Sequence, residues 1–135
     1  MNAAAWLPFA VVTGFVLTLR LLFRRDLHSI SPRAAQALMH SARVVVLDVR
    51  EPSETESGTL PGARLIPLSQ LAHRLAEVPT GQILVYCASG LRSRTAAAWL
   101  RRAGHQEVWN LEGGLTAWTR LGYPLESLRS AEAHQ

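Results

Sequence analysis

A chain of 135 residues has room for one domain, because a core of this size cannot usefully be divided. Its 14 basic residues, all arginine, outnumber 10 acidic ones for a formal charge of +4. They are scattered apart from Arg20, Arg24 and Arg25 and the group Arg92, Arg94, Arg101 and Arg102. With no basic helix interleaved with aromatics, no nucleic-acid partner is expected. A single cysteine excludes an internal disulfide framework and fits a reducing compartment.

From Ala3 to Phe23 the chain is apolar except for Arg20, and as a helix it would reach on the order of 31 Å, the depth of a bilayer's hydrocarbon core. Arg20 is close enough to the end to send its guanidinium to the headgroups, and Trp6 is placed for the opposite interface. A cleaved signal peptide would need positive charge before the run and small residues after it, and neither is present. The expectation is one transmembrane anchor over residues 1–25, contacting membrane lipid through residues 3–23. Arg20, Arg24 and Arg25 follow the apolar run, so a single-pass protein with its domain facing the cytoplasm is expected.

Residues 26–30 read as a linker and residues 31–127 as the domain, with 128–135 a tail. Ser31-Pro32 supplies an N-cap and a proline at the first helical position, so a helix to about Ser41 follows. Arg43 to Val49 is β-branched and almost continuously apolar, which suits a strand buried on both faces of a parallel sheet. Gly58 and Pro61-Gly62 mark turns before a short strand around Arg64 to Ile66. Leu68, Leu71, Ala72 and Leu75 recur at helical spacing. A strand follows at Ile83 to Tyr86, then a loop from Cys87 to Arg92 and a helix from Ser93 to Ala103. Glu107 to Leu111 is the last strand and Leu115 to Leu121 the last helix. Strands alternating with helices predict an α/β fold, a central parallel β-sheet flanked by helices, with ligands at the carboxyl ends of the strands.

That rule directs attention to Cys87, delivered by a strand and followed by a helix. The first N–H groups of a helix lack partners and its dipole favours an anion, so a thiolate there is stabilised. Gly90 lets the loop curl so that successive N–H groups point inward, and Arg92 adds a permanent cation. His28, His40, His73, His105 and His134 show no metal-ligand spacing with one another or with Cys87, so no metal is expected. Trp99, Trp109 and Trp118 read as core or groove residues.

The loop Cys87-Ala-Ser-Gly90-Leu-Arg92-Ser93 resembles the active loop of the rhodanese homology family. Three further stretches agree: Leu47 to Glu54; Ser57 to Ala63 with Ile66-Pro67; and Leu111 to Trp118 followed by Gly122-Tyr-Pro124. The resemblance runs from about Ser29 to Leu125 and departs at Thr55, where an aromatic is common, and at Thr59, where histidine is common. It implies a rhodanese-like sulfurtransferase that needs no cofactor. Cys87 would attack the outer sulfur of thiosulfate or a persulfide, hold it as a persulfide, and pass it to a thiol or protein acceptor. The backbone N–H groups of Ala88, Ser89, Gly90, Leu91, Arg92 and Ser93 would cradle the charge. Arg92 would either hold an anionic donor or tie the loop to a carboxylate, and Asp48 and Arg50 would orient the neighbouring loop. Two other functions compete. A related cysteine phosphatase uses a loop one residue longer, enough to encircle phosphate, whereas Cys87 and Arg92 have four residues between them. A non-catalytic binding module is the usual outcome when the cysteine is lost, and here it is present.

Overall fold

The computed structural model describes residues 11–15, 18 and 28–127. In chain order its elements are β1 (Ser29–Ile30), α1 (Pro32–Ser41), β2 (Val44–Asp48), a 3-10 segment (Pro52–Ser57) and β3 (Arg64–Leu65). Then come α2 (Leu68–Arg74), running on as a 3-10 turn (Leu75–Glu77), β4 (Gln82–Tyr86), α3 (Leu91–Arg102), β5 (Val108–Leu111) and α4 (Gly114–Arg120). The expected start of α1 is present, with the Ser31 hydroxyl accepting from the Ala34 N–H at 3.2 Å.

The five strands are parallel in the order β1-β5-β4-β2-β3. Side chains of a strand alternate between faces, so the continuous apolar runs of β2 and β4 feed two cores at once. Ile83, Val85 and Cys87 pack with Leu47, Leu71, Ala96 and Leu100 on the face covered by α2 and α3. Leu84 and Tyr86 pack with Val46, Ala35, Leu111 and Trp118 on the face covered by α1 and α4. Each fully buried aliphatic side chain contributes roughly 1.5–3 kcal/mol relative to exposure. Trp118 is buried edge-on to Tyr123, with ring centroids 5.0 Å apart, while Trp99 and Trp109 are half-buried against the two cores.

Chain direction reverses its sideways progress between β2 and β4: β3 adds beyond β2, whereas β5 adds on the far side of β4. The loops leaving β2 and β4 therefore emerge side by side at the carboxyl ends of the strands, where the strand order reverses. Thr55 and Thr59 both settle without exposed polar groups: each is buried, and the Thr55 hydroxyl donates to the Pro52 carbonyl at 2.6 Å. Thr59 exchanges backbone hydrogen bonds with Glu126.

Two expectations are corrected. Ser29–Ile30, assigned to the linker, form an edge strand paired with Asn110 and Leu111. Two residues carry no periodic pattern, so this pairing is a product of tertiary contact. The single-pass membrane placement with a cytoplasm-facing domain is also overturned: among the described residues, no helix is long and apolar enough to cross a membrane. Residues 11–15 and 18 are helical. Most of the stretch assigned to the anchor lies outside the described residues.

Candidate active site

Cys87 stands immediately after β4, fully buried, and Gly90 caps the helix α3 that begins at Leu91. Gly90 adopts φ +95°, a left-handed conformation that side-chain-bearing residues avoid, and a Cβ there would lie 3.2 Å from the Gly113 nitrogen. This turn brings donors onto the sulfur. The Gly90 N–H donates to Sγ at 3.1 Å and the Ser93 N–H at 3.4 Å, with the Ser93 hydroxyl oxygen 3.3 Å away. Burial raises the Cys87 pKa, but the Ser93 hydroxyl and the N–H groups of Ser93, Ser89 and Gly90 more than offset it, and the thiol ends below its ordinary value. The site thus favours a thiolate at the head of a helix.

The other loop residues act through different groups. Ala88 contributes its carbonyl, which accepts from the Thr116 N–H and hydroxyl, each at 3.0 Å. Leu91 opens α3 with its side chain exposed. Arg92 turns to Glu54, making two hydrogen bonds of 2.7 Å each. The guanidinium thus ties the loop to a carboxylate from the loop after β2, one of the two roles the sequence left open. The pair is mutual in its effect, as Arg92 holds the Glu54 carboxyl down to about 2 and Glu54 raises Arg92, helped by the charge of Cys87.

Asp48 and Arg50 form the floor of that second loop. The Arg50 guanidinium meets Asp48 at 2.7 Å and also donates to the carbonyls of Glu54 and Gly58. Tyr86, the residue before the cysteine, donates its hydroxyl to Asp48 at 2.7 Å and accepts from the Leu60 N–H at 3.1 Å. Burial and the neighbouring Asp48 keep this phenol protonated. A buried ion pair satisfied by this many hydrogen bonds is a rigid support for the loop after β2.

Two further contributors escaped the sequence reading as site residues. Gly113 and Gly114 both take positive φ, and the Leu115 N–H then donates to the Cys87 carbonyl at 2.8 Å. A Cβ on Gly114 would lie 2.4 Å from that carbonyl oxygen. The paired glycines let the start of α4 hold the loop's carbonyls away from the sulfur, leaving its N–H groups turned inward. The second contributor is Asn110 on β5, buried and 2.6 Å from the Ser93 hydroxyl. A Gly-Gly pair after a strand was a legible signal for a close approach; a single asparagine in a strand was not.

The comparisons agree with this geometry. The family described as the rhodanese-like domain matches residues 31–121. A protein named sulfurtransferase from Allochromatium vinosum is 36% identical over 96 residues, spanning 70% of this chain and 90% of that one. The thiosulfate sulfurtransferase GlpE of Pseudoalteromonas translucida is 33% identical over 82 residues, 60% of this chain and 78% of that one. Among solved structures, a rhodanese-related protein of Thermoplasma volcanium superposes with a TM-score of 0.68 at 31% identity, covering 73% of this chain and 97% of the other. Because the match extends from the N-capped first helix through the glycine pair that holds the cysteine loop, the chain belongs to the rhodanese-like domain family.

Proposed function

We propose that this protein is a sulfurtransferase in which Cys87 accepts a sulfane sulfur, holds it as a persulfide and delivers it to a thiol acceptor. The observation that carries this reading is the set of donors converging on Sγ from Gly90 and Ser93 at 3.1–3.4 Å. They stabilise a negative sulfur as attacking group, and again as leaving group when the acceptor takes the outer sulfur. In uptake, the thiolate attacks the donor's outer sulfur, an S–S bond forms to Cys87, and the donor leaves with the electron pair of the broken bond. In delivery, the acceptor thiolate attacks the outer sulfur and that pair returns to Cys87.

A persulfide donor is favoured over thiosulfate. Glu54 engages two of the five N–H groups of Arg92 and offsets its charge, which weakens the attraction offered to a dianion. The uncharged Ala88 and Leu91 add no positive potential. The same engagement weighs against a phosphatase, which needs its loop arginine for the phosphate oxygens.

The test is intact-mass analysis of the full chain after exposure to a small persulfide or thiosulfate. Gain of one sulfur atom that a reducing thiol removes is expected, together with a higher kcat/KM for the persulfide. Cys87→Ser should take up none with circular dichroism unchanged, because its hydroxyl is not ionised near neutral pH and forms no persulfide. Transfer by that variant would remove Cys87 as the carrier, and a clear preference for thiosulfate would remove the donor assignment.

A further inference from the structure

The Ser93 hydroxyl has one proton and two neighbours that want it. Its oxygen lies 2.6 Å from Asn110 Oδ1 and 3.3 Å from Cys87 Sγ. The orientation of the Asn110 amide is set independently. Its nitrogen faces the Gly90 carbonyl at 3.4 Å, an oxygen that only accepts, and the Ser29 hydroxyl at 3.3 Å. Reversing the amide would place two carbonyl oxygens against each other, so Oδ1 faces Ser93. An amide oxygen only accepts, and the short contact therefore takes the hydroxyl proton. In that state Sγ has no hydrogen bond from Ser93 Oγ, and a thiol S–H points its own proton at the Ser93 oxygen instead.

We propose that Asn110 is a positioning residue for the sulfur chemistry: it holds the Ser93 hydroxyl while Sγ is uncharged, as thiol or persulfide, and yields it when Sγ becomes a thiolate. Ionisation sends the thiol proton to solvent, the Ser93 hydroxyl keeps its own proton and rotates from Oδ1 to Sγ, and Asn110 stays in place through Gly90 and Ser29. Delivery runs the same rotation. As the acceptor takes the outer sulfur and the electron pair of the S–S bond returns to Cys87, the hydroxyl swings to the new anion. On uptake Sγ loses its charge and the hydroxyl returns to Asn110. The exchange has a chemical purpose, since a thiolate held permanently by a strong donor is a good leaving group but a weaker nucleophile. A donor that competes between two acceptors moderates both.

Few charged groups interfere with this exchange. Arg92 on α3 acts on the sulfur and is paired with Glu54 from the 3-10 segment. Behind the loop, Tyr86 of β4 is bound to Asp48, itself paired with Arg50. Glu112, between β5 and α4, is exposed. None of these lies in the Ser93–Asn110 contact.

The inference rests on Cys87 being the sulfur carrier, and its test is read on the thiol, so it fails separately from sulfur transfer. Cys87 is the chain's only cysteine, so the pH dependence of alkylation by iodoacetamide reports its ionisation on the full chain. Ser93→Ala should raise the midpoint by about one unit in the native background, as a hydrogen bond to a charged group is lost. In Asn110→Ala no competitor remains, and the Ser93→Ala shift should exceed the native one. A merely structural asparagine would change melting temperature and leave the two Ser93→Ala shifts equal, which overturns the proposal. If circular dichroism shows that Asn110→Ala is unfolded, Asn110→Leu, which likewise offers no acceptor, takes its place: a larger shift supports the exchange and an equal shift sinks it.

Discussion

At the scale of single residues, the arginine and the carboxylate that meet at the edge of the site divide two tasks. Arg92 fixes the cysteine loop to the loop after β2, and its charge also acts on the sulfur of Cys87. Arg92→Ala should therefore lower kcat/KM by roughly tenfold, well short of the complete loss from removing Cys87, because the backbone donors remain. Steady-state rates with a persulfide donor check this. Glu54 supplies a pH signature. Its carboxyl titrates near about 2 in the folded chain, against an ordinary value of 4.5. A depressed folded value means the contribution to stability is present above the ordinary value and is lost as pH falls from about 4.5 towards 2. Both side chains are about a third exposed, so screening keeps this contribution at about 1 kcal/mol or less. Carbon-13 titration of the Glu54 carboxyl should show the low midpoint in the native chain and a return towards the ordinary value in Arg92→Ala.

Elements meet at the loop in a way that no one of them specifies. Strand β4 delivers the cysteine and α3 presents its first N–H groups. The start of α4 then holds the carbonyls of Cys87 and Ala88 by donating from Leu115 and Thr116. This contact depends on Gly114, whose positive φ of +57° and lack of a side chain permit a close approach to the Cys87 carbonyl. In Gly114→Ala, the loop must shift by more than a side-chain rotation can absorb, since the obstructing atom belongs to the backbone. The variant should lose at least tenfold in sulfur uptake and about 1–3 kcal/mol in stability. Its alkylation midpoint should rise as the N–H donors turn from the sulfur. An unchanged midpoint with reduced stability would limit the glycine to a packing role. Gly113→Ala should also cost stability, because Gly113 has φ +72° and a Cβ there would lie 2.6 Å from the Cβ of Ala117, which moves only with its backbone.

Across the whole molecule, the Asp48–Arg50–Tyr86 group joins β2, β4 and the loops from Glu54 to Leu60. Arg50→Met leaves Asp48 buried without its counter-charge and should cost about 3–5 kcal/mol. Tyr86→Phe removes one donor and one acceptor and should cost about 1–3 kcal/mol. Urea unfolding measures both, and a cost below about 1 kcal/mol for Arg50→Met would show the pair to be replaceable by apolar packing. Much of this architecture is written locally. The apolar runs of β2 and β4, the Ser31 cap and the turn at Gly90 each express backbone and burial preferences within a few residues. Cys87 at a strand end before a helix was legible for the same reason. Other features depend on which segments the fold brings together. Ser29–Ile30 becomes a strand because β5 offers an edge, and Arg92 commits to Glu54 across 38 positions of sequence. The Ser93 hydroxyl meets Asn110 across 17. Short-range patterns record what a segment can form; the partner of a buried charge or hydroxyl is chosen only when the sheet closes and removes water from the alternatives.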